Sequence, residues 1–282
     1  MAVVSAPDRP AGRGGSLGAV PITRFARDQG LPLLQPERLR DPAAIAQVAL
    51  LRPDLGVLAD YGQIVPTGLL DLAPHGMLNL HPSLLPRHRG ATPIAAAILA
   101  GDERTGVSLF RMDSGLDSGP LLASAVLPLS GTETAPELES QLALLAAGLL
   151  ARSVGPWLRG ELVAQPQAAD GLTLSRPLRR TDGRLDPGRS AVELERQVRA
   201  YLGWPGAFVE TEAGRLVVWQ ATPGPALAAP AGTLVAGSPG LALATTVGSL
   251  ELDEVQLAGG RRMTGAELLR GRPALAGTPV ER

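Results

Sequence analysis

The chain has 282 residues and a mass of 29.1 kDa, more than a single domain of ~100 to 200 residues usually holds, so its length predicts two domains. Hydrophobic residues make up 45% of the chain and 26 basic residues oppose 27 acidic ones, which excludes a disordered chain and a strongly basic one. The absence of cysteine excludes disulfides, thiol nucleophiles and thiolate metal sites.

The longest apolar run, around residues 142–151, is shorter than the ~18 residues that a membrane span needs. No charged start leads into a signal-like apolar segment. These features predict a soluble, cytoplasmic protein that does not enter a membrane.

The first half of the chain alternates short apolar runs with helical patterns, which is typical of a parallel sheet covered by helices. The predicted strands are residues 2–5, 56–60, 77–81, 107–112 and 121–127. Two predicted helices begin with a capping side chain followed by proline, at Asp41 and at Thr92. A third, longer helix begins with the capping box Thr134 and Glu137. The pattern predicts an α/β fold with a mostly parallel, Rossmann-like sheet.

The second half begins with a change of composition. Residues 163–186 are rich in Pro, Gly, Gln, Arg and Asp and have no periodicity, which is typical of an interdomain linker. Capping boxes then predict two helices, one beginning at Ser190 and one at Thr264. Between them lie five predicted short strands, residues 207–211, 215–221, 232–236, 240–246 and 249–256. Their spacing predicts a small β-barrel. The predicted domains are therefore residues 1–162 and 187–282, joined by the linker.

Asn79 and His81 lie at the end of a predicted strand, where side chains at i and i+2 project from the same face. The carboxyl end of a strand is the expected place for a site in an open α/β sheet. Asp117 follows in a Gly-containing loop, MDSGLDSGP, which can bring its carboxylate close to that pair. Amide, imidazole and carboxylate together indicate acyl transfer. Asn79 and a protonated His81 could hold the oxygen that becomes negative, while Asp117 orients and charges the imidazole and relays the amine proton.

A structural interpretation competes with this one. A lone histidine near a strand end is more often structural than catalytic, and Asp117 alone is an ordinary turn residue. The combination with the residues that follow His81 favours the functional interpretation. In the composition, all 26 basic residues are arginine and Asn79 is the only asparagine. A residue type that survives once in so biased a composition is expected where no other type serves.

The run NLHPSLLPRHRGATPI, which begins at Asn79, resembles the signature of the folate-dependent formyltransferases, in the version of the methionyl-tRNA formyltransferases. Five further blocks occur in the family's order. They are PDRPAGRG at residues 7–14, LQPERLRD at 34–41, ADYGQIVP at 59–66, GWPGAF at 203–208 and RRMTGAELLRG at 261–271. The resemblance thus covers nearly the whole chain.

The resemblance implies roles for particular residues. Asn79, His81 and Asp117 match the family's catalytic trio. The matching tetrahydrofolate-binding residues are Ser83, Leu84, Leu85 and Pro86, with residues 59–64 forming a wall of the pterin site. The residues expected to contact tRNA are Arg9, Arg13, Arg87 and Arg89. The second domain resembles the family's OB-like barrel, which binds the outside of the tRNA.

The activity implied is transfer of a formyl group from 10-formyltetrahydrofolate, as co-substrate, to the amino group of methionyl-initiator tRNA. No metal is implied, and the protein is expected to act as a monomer. Two alternatives remain at this point: a formyltransferase or hydrolase acting on a small acceptor, and an inactive, truncated tRNA-binding remnant. A barrel domain and basic linker argue against a small acceptor, and an intact trio argues against an inactive remnant.

Two arginine-rich clusters could neutralise phosphates, although solvated faces are the commoner explanation for charge runs. The first comprises Arg176, Arg179, Arg180, Arg184 and Arg189, and the second comprises Arg261, Arg262, Arg270 and Arg272. Trp204 and Trp219 are expected in the core of the second domain. His75 and His88 are expected to be structural or at the surface.

The recognisable blocks begin at the second strand of the family's pattern, so the resemblance implies a first domain without its initial strand and helix. We expect the natural protein to start upstream of Met1. Loss of a central buried strand would leave backbone groups unpaired, so residues 1–282 alone are expected to lose stability and activity.

Overall fold

The computed structural model describes residues 1–11, 16–18, 20–238 and 240–281. The strands in these ranges are β1 (Val3–Val4), β2 (Arg9–Ala11), β3 (Ser16–Gly18), β4 (Leu33–Leu34), β5 (Gly56–Leu58), β6 (Met77–His81), β7 (Arg89–Gly90), β8 (Arg104–Arg111), β9 (Leu121–Pro128), β10 (Leu174–Ser175), β11 (Ala207–Thr211), β12 (Gly214–Gly224), β13 (Leu234–Ala236), β14 (Leu241–Ala244), β15 (Ser249–Leu257) and β16 (Met263–Thr264). The α-helices are α1 (Pro21–Asp28), α2 (Pro42–Leu50), α3 (Thr67–Leu70), α4 (Pro93–Ala100), α5 (Ala135–Leu158), α6 (Ala191–Ala200) and α7 (Gly265–Gly271).

The chain forms two compact units that do not follow chain order. The first contains Met1–Arg89, Val107–Ala125 and Leu145–Leu172, and the second contains Gly90–Gly106, Val126–Leu144 and Thr173–Arg282. The domain boundaries expected near residues 162 and 186 stay a prediction, because each compact unit consists of three separate stretches of the chain.

The first unit contains a two-stranded parallel sheet near the N-terminus. In this sheet β1 pairs with β4, with Val3 opposite Leu33. Strands β2 and β3 form a separate antiparallel hairpin. Helix α1 was not predicted, since no capping side chain precedes its proline. It is fastened by a buried hydrogen bond from the Thr23 hydroxyl to the Ser5 hydroxyl, 3.0 Å long.

A four-stranded sheet of order β5-β6-β8-β9 carries the predicted site. Strand β6 has the predicted bounds and runs parallel to β5. It runs antiparallel to β8, with Asn79 opposite Phe110 and His81 opposite Ser108. The sheet is therefore mixed. An apolar run marks a strand but not its direction, which depends on the path of the connection.

The helix starts are confirmed in part. The prolines Pro42 and Pro93 occupy the first turn as predicted, but neither Asp41 nor Thr92 forms a side-chain cap. The Thr92 hydroxyl instead donates to the carbonyl of Arg176, 2.9 Å away. Because its hydroxyl is engaged in this tertiary hydrogen bond, Thr92 does not cap helix α4.

Helix α5 is, by length and mean hydropathy, able to span a membrane, although its longest uninterrupted apolar run is shorter than a span. It contains the fully buried Leu138, Leu142 and Leu149, and Pro156 lies near its end. The Trp157 indole donates to the carbonyl of His75, 3.0 Å away. These leucines and the indole thus pack against the folded protein, while most of the apolar stretch of the helix is not buried.

The second unit contains an antiparallel sheet of order β11-β12-β15-β14-β13, to which β16 adds beside β15. The boxes Ser190 with Glu193 and Thr264 with Glu267 cap α6 and α7 as predicted. An aliphatic core packs against the sheet. Its fully buried members include Leu194, Leu216, Leu234, Leu243, Leu250 and Val255. This arrangement agrees with the predicted OB-like domain.

Candidate active site

The carboxyl end of β6 places Asn79 and His81 side by side on one face of the sheet. Both are buried, with exposed fractions of 8% and 5%. The alternation of side chains along the strand produces this arrangement, as predicted.

The His81 imidazole lies between two acceptors. Its Nε2 is 2.9 Å from the backbone carbonyl of His88, and its Nδ1 is 3.6 Å from a carboxylate oxygen of Asp117. A carbonyl can only accept, so Nε2 carries a hydrogen and the neutral ring has its lone pair on Nδ1. Burial lowers the pKa of His81 below its usual value, while the Asp117 charge and the His88 carbonyl oppose that shift. A proton added to the neutral ring would therefore sit on Nδ1, beside the Asp117 carboxylate.

Asp117 reaches His81 from a loop with strained and tightly packed backbone. Asp117 itself has a φ of +47°, in the left-handed region that non-glycine residues rarely adopt. Gly119 packs so closely that a Cβ there would lie 1.8 Å from the carbonyl oxygen of Arg111. Surrounding contacts must therefore hold the loop in this conformation.

The Asn79 carboxamide, unlike the His81 imidazole, has no hydrogen-bond partner among the residues that the structure describes. Within the described ranges, no group accepts a hydrogen bond from its side chain, although the residue is buried. Its N–H donors are available to a ligand oxygen beside His81. A donor for a developing negative charge next to a proton acceptor is what acyl transfer requires.

The predicted folate-binding stretch, Ser83 to Pro86, is fastened directly beyond β6. The Ser83 hydroxyl donates to the carbonyl of Arg87, at 2.6 Å. The Ser108 hydroxyl on β8 donates to the Ser83 carbonyl at 2.8 Å and accepts from the Leu85 N–H at 3.0 Å. One buried serine thus holds two residues of this short segment, Ser83 and Leu85.

The four arginines predicted to contact tRNA are in different environments. Arg9, on the β2–β3 hairpin, is exposed and lies 3.5 Å from Glu37, and Arg13 lies outside the described residues. Arg87 and Arg89 are half-buried. Arg89 donates twice to the side-chain oxygen of Gln167, at 2.6 and 3.1 Å, so it belongs to the packed surroundings of the site.

The first arginine cluster is partly neutralised within the second unit. Arg176 forms a two-bond ion pair with Asp182, and its guanidinium lowers the pKa of that carboxyl to about 2. Arg179 and Arg180 are exposed, and no ion pair of either is found in the part of the chain that the structure describes. These two charges are the better candidates for phosphate contact.

The core position expected for Trp204 is wrong, since its exposed fraction is 54% and the Arg180 guanidinium lies 5.6 Å from its ring centroid. Trp219 is half-buried, with Arg262 at 3.8 Å from its centroid. The size and hydrophobicity of the two tryptophans did not predict where they lie, because aliphatic side chains fill the core of the second unit.

Sequence reasoning missed Ser108, Gln167 and the role of the His88 backbone. Ser108 had no signal beyond lying in a strand, and Gln167 lies in the predicted linker. His88 is buried with a φ of +60°, and its carbonyl meets His81. A backbone carbonyl has no signature in sequence.

Comparison with known proteins supports the same chemistry. Residues 1–154 match the family described as Formyl transferase, and residues 177–273 match Formyl transferase, C-terminal domain. The methionyl-tRNA formyltransferase of Halorhodospira halophila is 44% identical over 291 residues, covering 100% of this chain and 91% of that protein. The methionyl-tRNA formyltransferase of Myxococcus xanthus is 41% identical over 278 residues, covering 99% and 89%.

Solved structures with lower identity share the fold. An N-formyltransferase from Helicobacter canadensis, in complex with folinic acid and dTDP-3-aminofucose, has a TM-score of 0.64 at 13% identity, covering 87% of this chain and 85% of that one. HypX from Aquifex aeolicus in complex with tetrahydrofolic acid has a TM-score of 0.61 at 18% identity, covering 87% and 43%. Since both domains match and relatives above 40% identity extend along nearly the whole chain, the family predicted from the run at Asn79 is confirmed: the chain belongs to the formyl transferase family.

Proposed function

We propose that the protein transfers the formyl group of 10-formyltetrahydrofolate to the amino group of methionyl-initiator tRNA, for translation initiation. The observation that carries this proposal is the buried Asn79 carboxamide with its donors available, directly beside the His81–Asp117 pair. The curated relatives named methionyl-tRNA formyltransferase support the choice of acceptor.

Asn79 acts on the formyl oxygen in this proposal. The folate supplies an activated formyl carbon, and the oxygen on that carbon becomes negative as the amine attacks. The Asn79 amide donates a hydrogen bond to this oxygen more strongly as its charge develops, which lowers the barrier.

His81 and Asp117 carry the proton. The attacking amino nitrogen must lose one proton, and the folate nitrogen that leaves must gain one. Nδ1 of His81 accepts the first proton, and the Asp117 carboxylate 3.6 Å away stabilises the imidazolium until that proton is delivered. The predicted second role of His81, as an oxyanion donor, would require release of its contact with His88 or Asp117.

The remaining assignments belong to the same proposal. Ser83 to Pro86 and residues 59–64 bind the folate, the Arg9 and Arg13 loop contacts the acceptor end of the tRNA, and the OB-like domain binds its outer surface. The protein acts in the cytoplasm as a monomer, apart from membranes and without a metal.

A formyl-transfer assay tests the acceptor. With the formyl-folate donor, we expect formylation of methionyl-initiator tRNA at a far higher rate than that of free methionine or a nucleotide-linked amino sugar. A reaction without acceptor measures hydrolysis of the donor. Formate release independent of tRNA would contradict the proposal in favour of a hydrolase, and preference for the amino sugar would favour a small-acceptor enzyme.

Binding of tRNA is expected to weaken steeply with added salt, because arginine–phosphate contacts release counterions. Replacing Arg179 and Arg180 together by alanine should reduce the slope of log affinity against log salt by up to about 2, one for each lost phosphate contact. Filter binding or fluorescence titration at several salt concentrations measures the slope. Removing the exposed ion pair of Arg159 and Glu161 by a double alanine change serves as the control, since it leaves net charge unaltered. Salt-independent binding would contradict the phosphate contacts.

A further inference from the structure

Gln167 uses its whole carboxamide within the first unit. Its side-chain nitrogen donates to the carbonyls of Asp117 and Gly119, at 2.7 and 2.8 Å. Its side-chain oxygen accepts twice from Arg89, at 2.6 and 3.1 Å. A glutamine amide has two donors and two acceptor lone pairs, so all four are satisfied. So complete a set of contacts is unexpected in a segment whose composition predicts a linker.

One side of this amide fixes the loop that carries Asp117. The two carbonyls that it binds flank Ser118, in the stretch where Asp117 adopts a left-handed φ of +47°. A strained loop persists only where neighbouring contacts over-determine it. The loop position sets the distance of 3.6 Å between the Asp117 carboxylate and Nδ1 of His81.

The other side of the amide reaches the opposite edge of the imidazole. Arg89, whose Nε and Nη2 donate to the Gln167 side-chain oxygen, directly follows His88 in the chain. The His88 carbonyl contacts Nε2 of His81. His88 also has a left-handed φ of +60°. Gln167 therefore connects the two backbone segments that face the two nitrogens of one ring.

We infer that Gln167 is a positioning residue for the formyl-transfer reaction, holding the Asp117 loop and the His88–Arg89 segment at fixed distances from His81. It touches neither reacting group and acts through these segments. The expected effect of Gln167 on the rate of formyl transfer rests on the proposed function. Its effect on the surroundings of the His81 ring does not.

The chain supplies a matched control two residues away. Gln165 pairs with Leu121 through its backbone alone, with N–O distances of 2.7 and 2.8 Å, and its side chain is exposed. Gln165→Ala therefore keeps the anchoring of this segment, whereas Gln167→Ala removes the four side-chain bonds. Gln167→Glu separates the two sides, because a carboxylate still accepts from Arg89 but has no donor for the two carbonyls.

The first measurement is steady-state formyl transfer to methionyl-tRNA across pH. For Gln167→Ala and Gln167→Glu we expect kcat about 10- to 100-fold lower, with KM for both substrates within about twofold of wild type. We also expect the acid limb of the pH profile to move to lower pH, because a displaced Asp117 stabilises the imidazolium less. Gln165→Ala should match wild type in all three quantities. An equal loss in Gln165→Ala, or a loss of thermal stability with an unmoved acid limb, would overturn the positioning role.

The second measurement follows the His81 ring without any substrate. The chain has only three histidines, so NMR of the imidazole carbons can follow His81 against His75 and His88. The titratable groups that face the His81 ring are Asp117 and His88. We expect the His81 pKa to fall in Gln167→Ala and to stay constant in Gln165→Ala, and an unchanged pKa in both would overturn the inference. If wild type formylates no tRNA, the proposed function fails, while the NMR comparison still decides on Gln167.

Discussion

Asn79→Ala is expected to lower the turnover of formyl transfer by about 100-fold or more, since a single oxyanion donor contributes on the order of 100- to 1000-fold in rate. His81→Ala should cause a loss of the same order through the proton transfer. Affinity for tRNA should stay almost unchanged, because both side chains are buried at the reacting end of the site. Single-turnover kinetics with saturating donor, beside equilibrium tRNA binding, separates the two quantities.

Asn79→Asp is the sharper variant at the same position. It preserves the size of the side chain but replaces a donor by a negative charge, so it should be at least as slow as Asn79→Ala. Thermal unfolding of both variants checks that the fold survives. Retention of more than half of wild-type turnover by either one would remove Asn79 from the mechanism.

Asp117→Asn is expected to reduce kcat by about 100-fold and to move the acid limb of the pH profile to lower pH. The sign follows from the charges at the ring. Burial already lowers the His81 pKa, and the Asp117 carboxylate opposes that shift by stabilising the imidazolium. Without this charge the pKa falls further, so the ring stays neutral to lower pH but binds a transferred proton less well. A profile of kcat/KM against pH measures both effects.

Asp113→Asn is the control for Asp117, because it removes a charge from the same loop. The Asp113 carboxylate oxygen accepts from the Gly115 N–H at 3.0 Å and the Ser118 hydroxyl at 2.8 Å. An asparagine oxygen can accept both, so the loop should keep its shape. We expect its acid limb to stay within experimental error of wild type. A movement to higher pH in Asp117→Asn would show that the carboxylate does not stabilise the imidazolium.

Local signals in the sequence determined much of this protein. Strand β6 has the predicted bounds, and the alternation along it places Asn79 and His81 together. The capping boxes that begin at Ser190 and Thr264 are formed as predicted. Strand periodicity and helix caps depend on residues within a few positions of one another, so they can be deduced from the sequence without the fold.

Tertiary structure alone decided the remainder of the site. The sequence did not indicate that β8 runs antiparallel to β6, that the His88 carbonyl holds His81, or that Trp204 is exposed. Gln167 binds the carbonyl of Asp117 from 50 residues away, in a segment without periodicity. Strand direction and such long-range hydrogen bonds depend on the path of the whole chain, which brings together groups that no local pattern relates.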